Sequence, residues 1–480
     1  MAESLQKKTL SGVIWSFTEN FALQIIQFAI GVLMARILLP EDYGMIGMLS
    51  IFIAVSQTLI DSGFSKALIR KKDRTELDYS TIFHFNVIVG LILYFIIYAL
   101  APFIADFYQI SLLENLTKVV ALPLILNSFC IVQQAHLTIL MDFKTLAKIS
   151  VISSLFSGIS SLILAYSGFG VWTFAYSTII GSVMRSILMW LWTKWRPKWM
   201  FSWTSFREMF SFGSKLLASS IIDTTYSNLY PLIIGRLFSA KDLGFYARAS
   251  SYATLPASTI ASLIGKVTFP VLCEIQNEND RLQVIYRRML QVSAFIVFPL
   301  MMGLAALAHP LIVSMITEKW EPCVPYLQIL CFALMWYPIH GLNLNLLQVK
   351  GRSDLFLKLE IIKKIVGVSV ILITFPFGVL YMCVGSVCSS ILCLVINTYY
   401  TGKLIHVGFL MQMRDLLPTI LYSFSMGALV YGVTLFFDSN LLKIAVGMLV
   451  GLLYYPSVAY LTRSSELSYL ISMIKNRKKQ

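Results

Sequence analysis

Among the charged side chains inside otherwise apolar runs, Glu19, Arg185, Lys215, Asp223, Arg248 and Lys266 stand out. A charge at the centre of a membrane helix costs about 2.5–3.5 kcal/mol on insertion scales, so each should face protein or a watery cavity. The arginines offer planar, two-pronged donors that match a phosphate or an acidic sugar, a fit that lysine lacks. Arg248, together with Arg36 and Arg236 at the outer helix ends, is therefore a candidate anion ligand, as is Arg185. Lys215 and Lys266 lie near helix ends, where a lysine either snorkels to the interface or lines the same cavity. Asp223 falls about eleven residues into its helix, roughly 16 Å at 1.5 Å per residue, near mid-membrane. It either pairs with a cation on the next helix or serves, with Glu19, as an ion-coupling carboxylate.

Other chemistries lack their residues. Gly265-Lys266 has neither the earlier glycine nor the following Ser or Thr of a phosphate-cradling loop. His84, His136, His309, His340 and His406 show no metal-ligand spacing, and the seven cysteines contain no CxxC pair, so no metal and no cofactor are expected. Outer loops of a few to roughly fifteen residues leave little room to mount a catalytic centre. Tyr226, Tyr230, Tyr246 and Tyr252 suit either sugar stacking or the membrane interface.

The elements that must hold these charges are membrane helices. Of 480 residues, 57% are hydrophobic and 13% charged, and mean hydropathy is +0.75, a composition for bilayer and not for water. Apolar runs of spanning length recur near 11–35, 44–65, 80–101, 116–140, 146–166, 171–193, 212–236, 243–271, 286–308, 324–347, 357–377, 380–400, 417–436 and 441–461. The expected class is thus an all-α polytopic protein of about fourteen helices, the first retained and not cleaved. With both termini in the cytoplasm, the outer side holds only Arg36, Lys118, Arg236, Lys241, Lys319 and Lys443. This positive-inside bias accounts for the net charge of +14 without nucleic acid. Trp192, Trp195, Trp199 and Trp203 mark one interface. Cytoplasmic amphipathic stretches are expected at 203–210 and at Leu467, Leu470, Ile471 and Ile474, followed by the basic Lys475–Lys479 cluster.

The segment RILLPEDYG, Arg36 to Gly44, returns as RLFSAKDLG, Arg236 to Gly244, 200 residues later. Phe169-Gly170-Val171 returns as Phe377-Gly378-Val379, and Lys144 as Arg352, 208 residues on. These points fall at equivalent places of two six-helix blocks and predict a duplication with both copies inserted the same way. The expected organisation is a six-helix half over 1–200, a second over 201–403, and two further helices with a cytoplasmic tail over 404–480. Parallel repeats predict a substrate path between the halves near the midplane.

The Arg36 to Gly44 segment followed by Met45-Ile-Gly-Met-Leu, and Phe212-Gly-Ser214 opening the seventh helix, resemble Wzx-type polysaccharide flippases. These share a superfamily with multidrug-and-toxin extruders and the lipid II flippase. The resemblance implies a multi-pass transporter of a bacterial inner membrane that moves undecaprenyl-diphosphate-linked oligosaccharides outward for O-antigen, capsule or exopolysaccharide assembly. It implies a cationic cavity in which Arg248 and Lys215 are carried over, and the lipid-linked glycan, membrane lipid and a polysaccharide polymerase with its chain-length machinery as partners. No arginine matches Arg248 in the first half, which has Ser50 or Ile51 there. Two rival readings are an ion-coupled drug or solute antiporter on the same fold and a membrane enzyme of polysaccharide assembly; the short outer loops disfavour the enzyme.

Overall fold

The computed structural model describes the backbone of residues 2–61 and 63–477, and their side chains except at 2–11, 13, 215, 267, 471 and 473–477. It divides into two compact units, Met1–Gly244 and Phe245–Gln480. Among the described residues the secondary structure is helical, without a strand.

The first unit contains α1 (Ala2–Ile37), α2 (Pro40–Asp61), α3 (Phe64–Arg70), α4 (Glu76–Tyr108), α5 (Leu112–Val120), α6 (Leu122–Ser128), α7 (Ile131–Ile139), α8 (Phe143–Tyr166), α9 (Trp172–Trp192), α10 (Trp203–Ser227) and α11 (Leu229–Leu237). α12 (Ala240–Glu274) begins in the first unit and continues into the second. The second adds α13 (Asn279–Ala306), α14 (Ala308–Ile316), α15 (Val324–Leu334), α16 (Tyr337–Val349), α17 (Ser353–Thr374), α18 (Val379–Ile405), α19 (Phe409–Thr434), α20 (Asn440–Leu461) and α21 (Ser465–Arg477).

Twelve helices or helix runs among the described residues are long and apolar enough to cross a membrane. The chain is a multi-pass membrane protein. Exposed side chains such as Phe103, Ile163, Leu191 and Leu452 form the outer surface that a bilayer covers. The other two expected spans are helical but more polar. The run 212–236 is broken at Asn228 and carries Ser219, Ser220, Asp223, Thr224 and Thr225. The run 357–377 carries Lys358, Glu360, Lys363 and Lys364 on α17.

The repeated motif has a structural meaning. In the first copy the Leu39 amide donates to Asp42 Oδ2 at 2.9 Å, and Pro40 starts α2 where no amide hydrogen is needed. In the second, the Asp242 amide donates to Ser239 Oγ at 3.0 Å and starts α12. The two corners pack face to face. A Cβ on Gly44 would lie 1.6 Å from the Ala240 carbonyl oxygen, and one on Gly244 would lie 1.9 Å from that of Pro40. Pro40 and Ala240 are themselves 200 residues apart, so the contact is reciprocal, as across a local two-fold axis.

Compactness divides the chain later than the 200/201 boundary of the repeat. α10 and α11 pack on α2, α3 and α4, through contacts such as Phe64 against Phe206 and Ser50 Oγ to Asn228 Oδ1 at 3.1 Å. An ion pair of Lys71 with both Asp78 and Glu208, each at 3.0 Å, adds to this corner, and Trp195 Nε1 donates to Glu76. In the second unit, Arg287 grips Asp415 through two bonds of 2.7 and 2.6 Å, joining α13 to α19. Buried Asn343, Thr401 and Gln412 hydrogen-bond one another on α16, α18 and α19.

The expected fourth and tenth spans are both broken. The run 116–140 becomes α5, α6 and α7, interrupted at Ala121 and at Phe129-Cys130; the run 324–347 becomes α15 and α16, interrupted at Met335-Trp336. Pro123, Pro325 and Pro338 sit in the first turns of α6, α15 and α16, where the missing amide hydrogen costs nothing. Non-helical backbone at membrane depth is tolerated where it is buried in protein or lines a cavity.

Candidate functional site

A cavity of about 750 Å³ opens in the first unit beside that break. Its lining comes from α2, α3, α6, α7, α9 and α10. Helical spacing brings polar groups to its wall in pairs: Gln57 with Asp61, Gln134 with Thr138, and Ser220 with Thr224 are each four residues apart on one helix face. Gly63 turns the chain between α2 and α3 at the rim. Its φ of +68° is left-handed, and a Cβ there would come 2.8 Å from the Gly213 carbonyl on α10.

Among the described residues, three charged side chains line this cavity: Asp61, Lys66 and Arg185. Arg185 Nη2 donates to Gln134 Oε1 at 2.7 Å, and Arg185 Nε is buried without a hydrogen-bond partner. The guanidinium is thus oriented by a neutral amide and keeps its charge uncancelled there. Asp61 Oδ1 accepts from Ser65 at 2.7 Å. Asn127 Nδ2 donates to Gln57 at 3.2 Å, and the Thr58 and Thr224 hydroxyls lie 3.1 Å apart. The result is a net-positive, hydroxyl- and amide-rich wall, suited to an anionic group and to many hydroxyls at once.

The remaining predicted residues lie elsewhere. Lys215 belongs to α10 next to the lining residues Leu216 and Leu217, but its side chain lies outside the described residues. The side chains of Ile471, Ile474 and the Lys475–Lys479 cluster lie outside them as well. Asp223 is exposed on α10, beside lining Thr224. Glu19 is half-buried on α1. Arg36 and Arg236 are exposed at the ends of α1 and α11, with Arg236 held 5.2 Å from the centre of the Phe107 ring. In the second unit, half-buried Arg248 lies 5.9 Å from the ring of fully buried Trp320, and Lys266 is exposed further along α12. None of the tyrosines 226, 230, 246 and 252 lines the cavity described above.

A family model described as polysaccharide biosynthesis protein matches residues 33–325. The chain belongs to that family. The teichuronic acid biosynthesis protein TuaB of Bacillus subtilis is 26% identical, covering 94% of this chain and 95% of its own. The lipopolysaccharide biosynthesis protein WzxC of Escherichia coli is 26% identical over 82% of this chain and 80% of its own. The succinoglycan biosynthesis transport protein ExoT of Rhizobium meliloti is 22% identical over 69% and 68%. Among solved structures, the lipid II flippase MurJ in an inward closed conformation superposes with a TM-score of 0.78 at 16% identity, covering 94% of this chain and 99% of that one. An inward-facing multidrug resistance transporter of the MATE family follows at 0.62 and 16%, covering 79% and 95%. The resemblance to Wzx-type flippases and the all-α membrane fold are borne out, and with them a transporter in place of an enzyme.

For this family member, reading single charges found Arg185 but passed over Gln57, Asn127, Gln134, Thr138 and Asp61. The signal was the four-residue spacing of polar side chains within apolar helices, together with Pro123 and Pro338 just after breaks in the expected fourth and tenth spans.

Proposed function

We propose that this protein is a flippase that carries polyprenyl-diphosphate-linked oligosaccharides, undecaprenyl-linked in a bacterial inner membrane, by alternating access. The head group occupies the 750 Å³ cavity of the first unit. Arg185 takes the diphosphate, Lys66 adds a second cation, and the amides and hydroxyls of α2, α7 and α10 hydrogen-bond the glycan. Arg248 and Lys215 remain proposed ligands on the path of the same substrate, and Arg36, Arg236 and Lys266 flank it. The lipid tail stays in the bilayer. Asp223 and Glu19 remain the proposed ion-coupling carboxylates, and both termini lie in the cytoplasm.

The observation that carries this reading is Arg185, fixed by Gln134 with no carboxylate cancelling it at that contact. An antiporter for cationic drugs on the same fold calls for the opposite excess of charge, whereas among the described residues two cations and one carboxylate line this cavity. The test is deletion in the host. Loss of surface polysaccharide, with lipid-linked units held on the cytoplasmic leaflet and restored by the intact gene, is expected; unchanged polysaccharide overturns the reading. Handover to a polymerase with its chain-length machinery belongs to the same proposal.

A further inference from the structure

A second concavity of about 310 Å³ lies between α2, α4 and α11, lined by Phe52, Leu100, Phe103, Ile104, Phe107 and Leu232. All six side chains are apolar. On α4, Leu100, Phe103, Ile104 and Phe107 share one helix face, and the nearest carboxylate in sequence, Asp106, falls off that face. Arg236 stands one turn beyond Leu232 on α11, with its guanidinium carbon 5.2 Å from the Phe107 ring centre. The slot therefore has three phenyl rings and branched aliphatic groups along its wall and a cation on its rim. A dry cavity of about 150 Å³ suffices for benzene, so this one takes roughly two groups of that size.

An apolar trough ending in a guanidinium fits an anionic amphiphile, with the phosphate on the arginine fork and the chain along the rings. The methyl branches of an isoprenoid fill gaps between rings that a straight acyl chain leaves open, and a diphosphate offers the fork more oxygens than a phosphodiester does. Helix α4 runs towards this end from Glu76, so the slot sits opposite the side of Lys71 and Glu208.

We propose that this slot is an exit site, holding the first isoprenoid units of the polyprenyl diphosphate in the outer leaflet with Arg236 on its phosphate. The inference rests on the flippase reading and adds a place for the carrier lipid outside the polar cavity.

The test is native mass spectrometry of the purified full-length protein titrated with glycan-free polyprenyl diphosphate, with phosphatidylglycerol as competitor. Arg236→Gln and the slot-filling Leu232→Trp should each weaken binding about tenfold, and phosphatidylglycerol at equal concentration should leave it unchanged. Undiminished binding in Arg236→Gln, or equal displacement by phosphatidylglycerol, overturns the exit site. Translocation of the glycan-linked lipid, read in parallel for Arg185→Gln, separates the two proposals. If that variant transports normally the cavity reading fails, whatever the slot variants do.

Discussion

Arg185 on α9 and Gln134 on α7 are joined by a 2.7 Å hydrogen bond, so a neutral amide aims the guanidinium. Replacing the amide should therefore change function more than stability. Gln134→Leu frees the arginine and should lower transport of lipid-linked glycan about tenfold, in line with the 1.5–3 kcal/mol of a charged hydrogen bond. Gln134→Glu should lower it further, by neutralising Arg185, while thermal stability in detergent holds or rises. Normal transport by Gln134→Glu would remove the pair from the site.

The reciprocal glycine contact makes a structural prediction. Gly44→Ala and Gly244→Ala each place a methyl within 2 Å of a backbone carbonyl, as the 1.6 and 1.9 Å approaches require. Each should cost at least the roughly 1–3 kcal/mol typical of overpacking. Because both act on one junction, the double variant should lose less than the sum of the two. Melting of the purified variants gives the answer, and wild-type stability in either single variant would mean that the junction opens.

That junction also gives the recurrence of the Arg36–Gly44 motif at Arg236–Gly244 a physical reason. Close backbone approach leaves room only for glycine at Gly44 and Gly244, and Asp42 and Asp242 both fall in the acidic first turns of α2 and α12, so the two motifs share these residues. Arg185 was legible for a related reason, since a charge in an apolar run is conspicuous. Gln57, Asn127 and Gln134 were not, because an amide barely perturbs the hydropathy of a helix and only its neighbours decide whether it faces lipid or a cavity. The seventh span was legible as a helix but not as one that packs with the first unit, since contacts such as Thr58 with Thr224 join residues 166 apart.

Arg248 tests the contribution of the second unit. Its guanidinium lies over the Trp320 ring, a contact that planar stacking favours and an ammonium reproduces poorly. Arg248→Ala should lower translocation with expression intact, and Arg248→Lys should recover only part of it. Full transport by Arg248→Ala would exclude it from the substrate path.

Lys71 joins Asp78 and Glu208 in one ion-paired corner. Burial by itself would lower its pKa, but the hydrogen bonds to Glu208 and Asp78 outweigh that and hold it above the ordinary 10.5. A lysine whose pKa is raised on folding contributes its full stabilisation below the unfolded value and loses it as pH rises through the folded one. The difference in melting temperature between wild type and Lys71→Gln should therefore be constant from about pH 6 to 9 and shrink only above about 10.5. A difference that closes below pH 9 would contradict the ion-paired assignment.

The most direct test of the account is the rate at which reconstituted vesicles translocate a polyprenyl-diphosphate-linked oligosaccharide, compared between wild type and Arg185→Gln. Removing the charge while keeping a hydrogen-bonding side chain should reduce the rate about 10- to 100-fold with the protein still folded. An unchanged rate would contradict the assignment of the first unit's cavity to the diphosphate-linked head group.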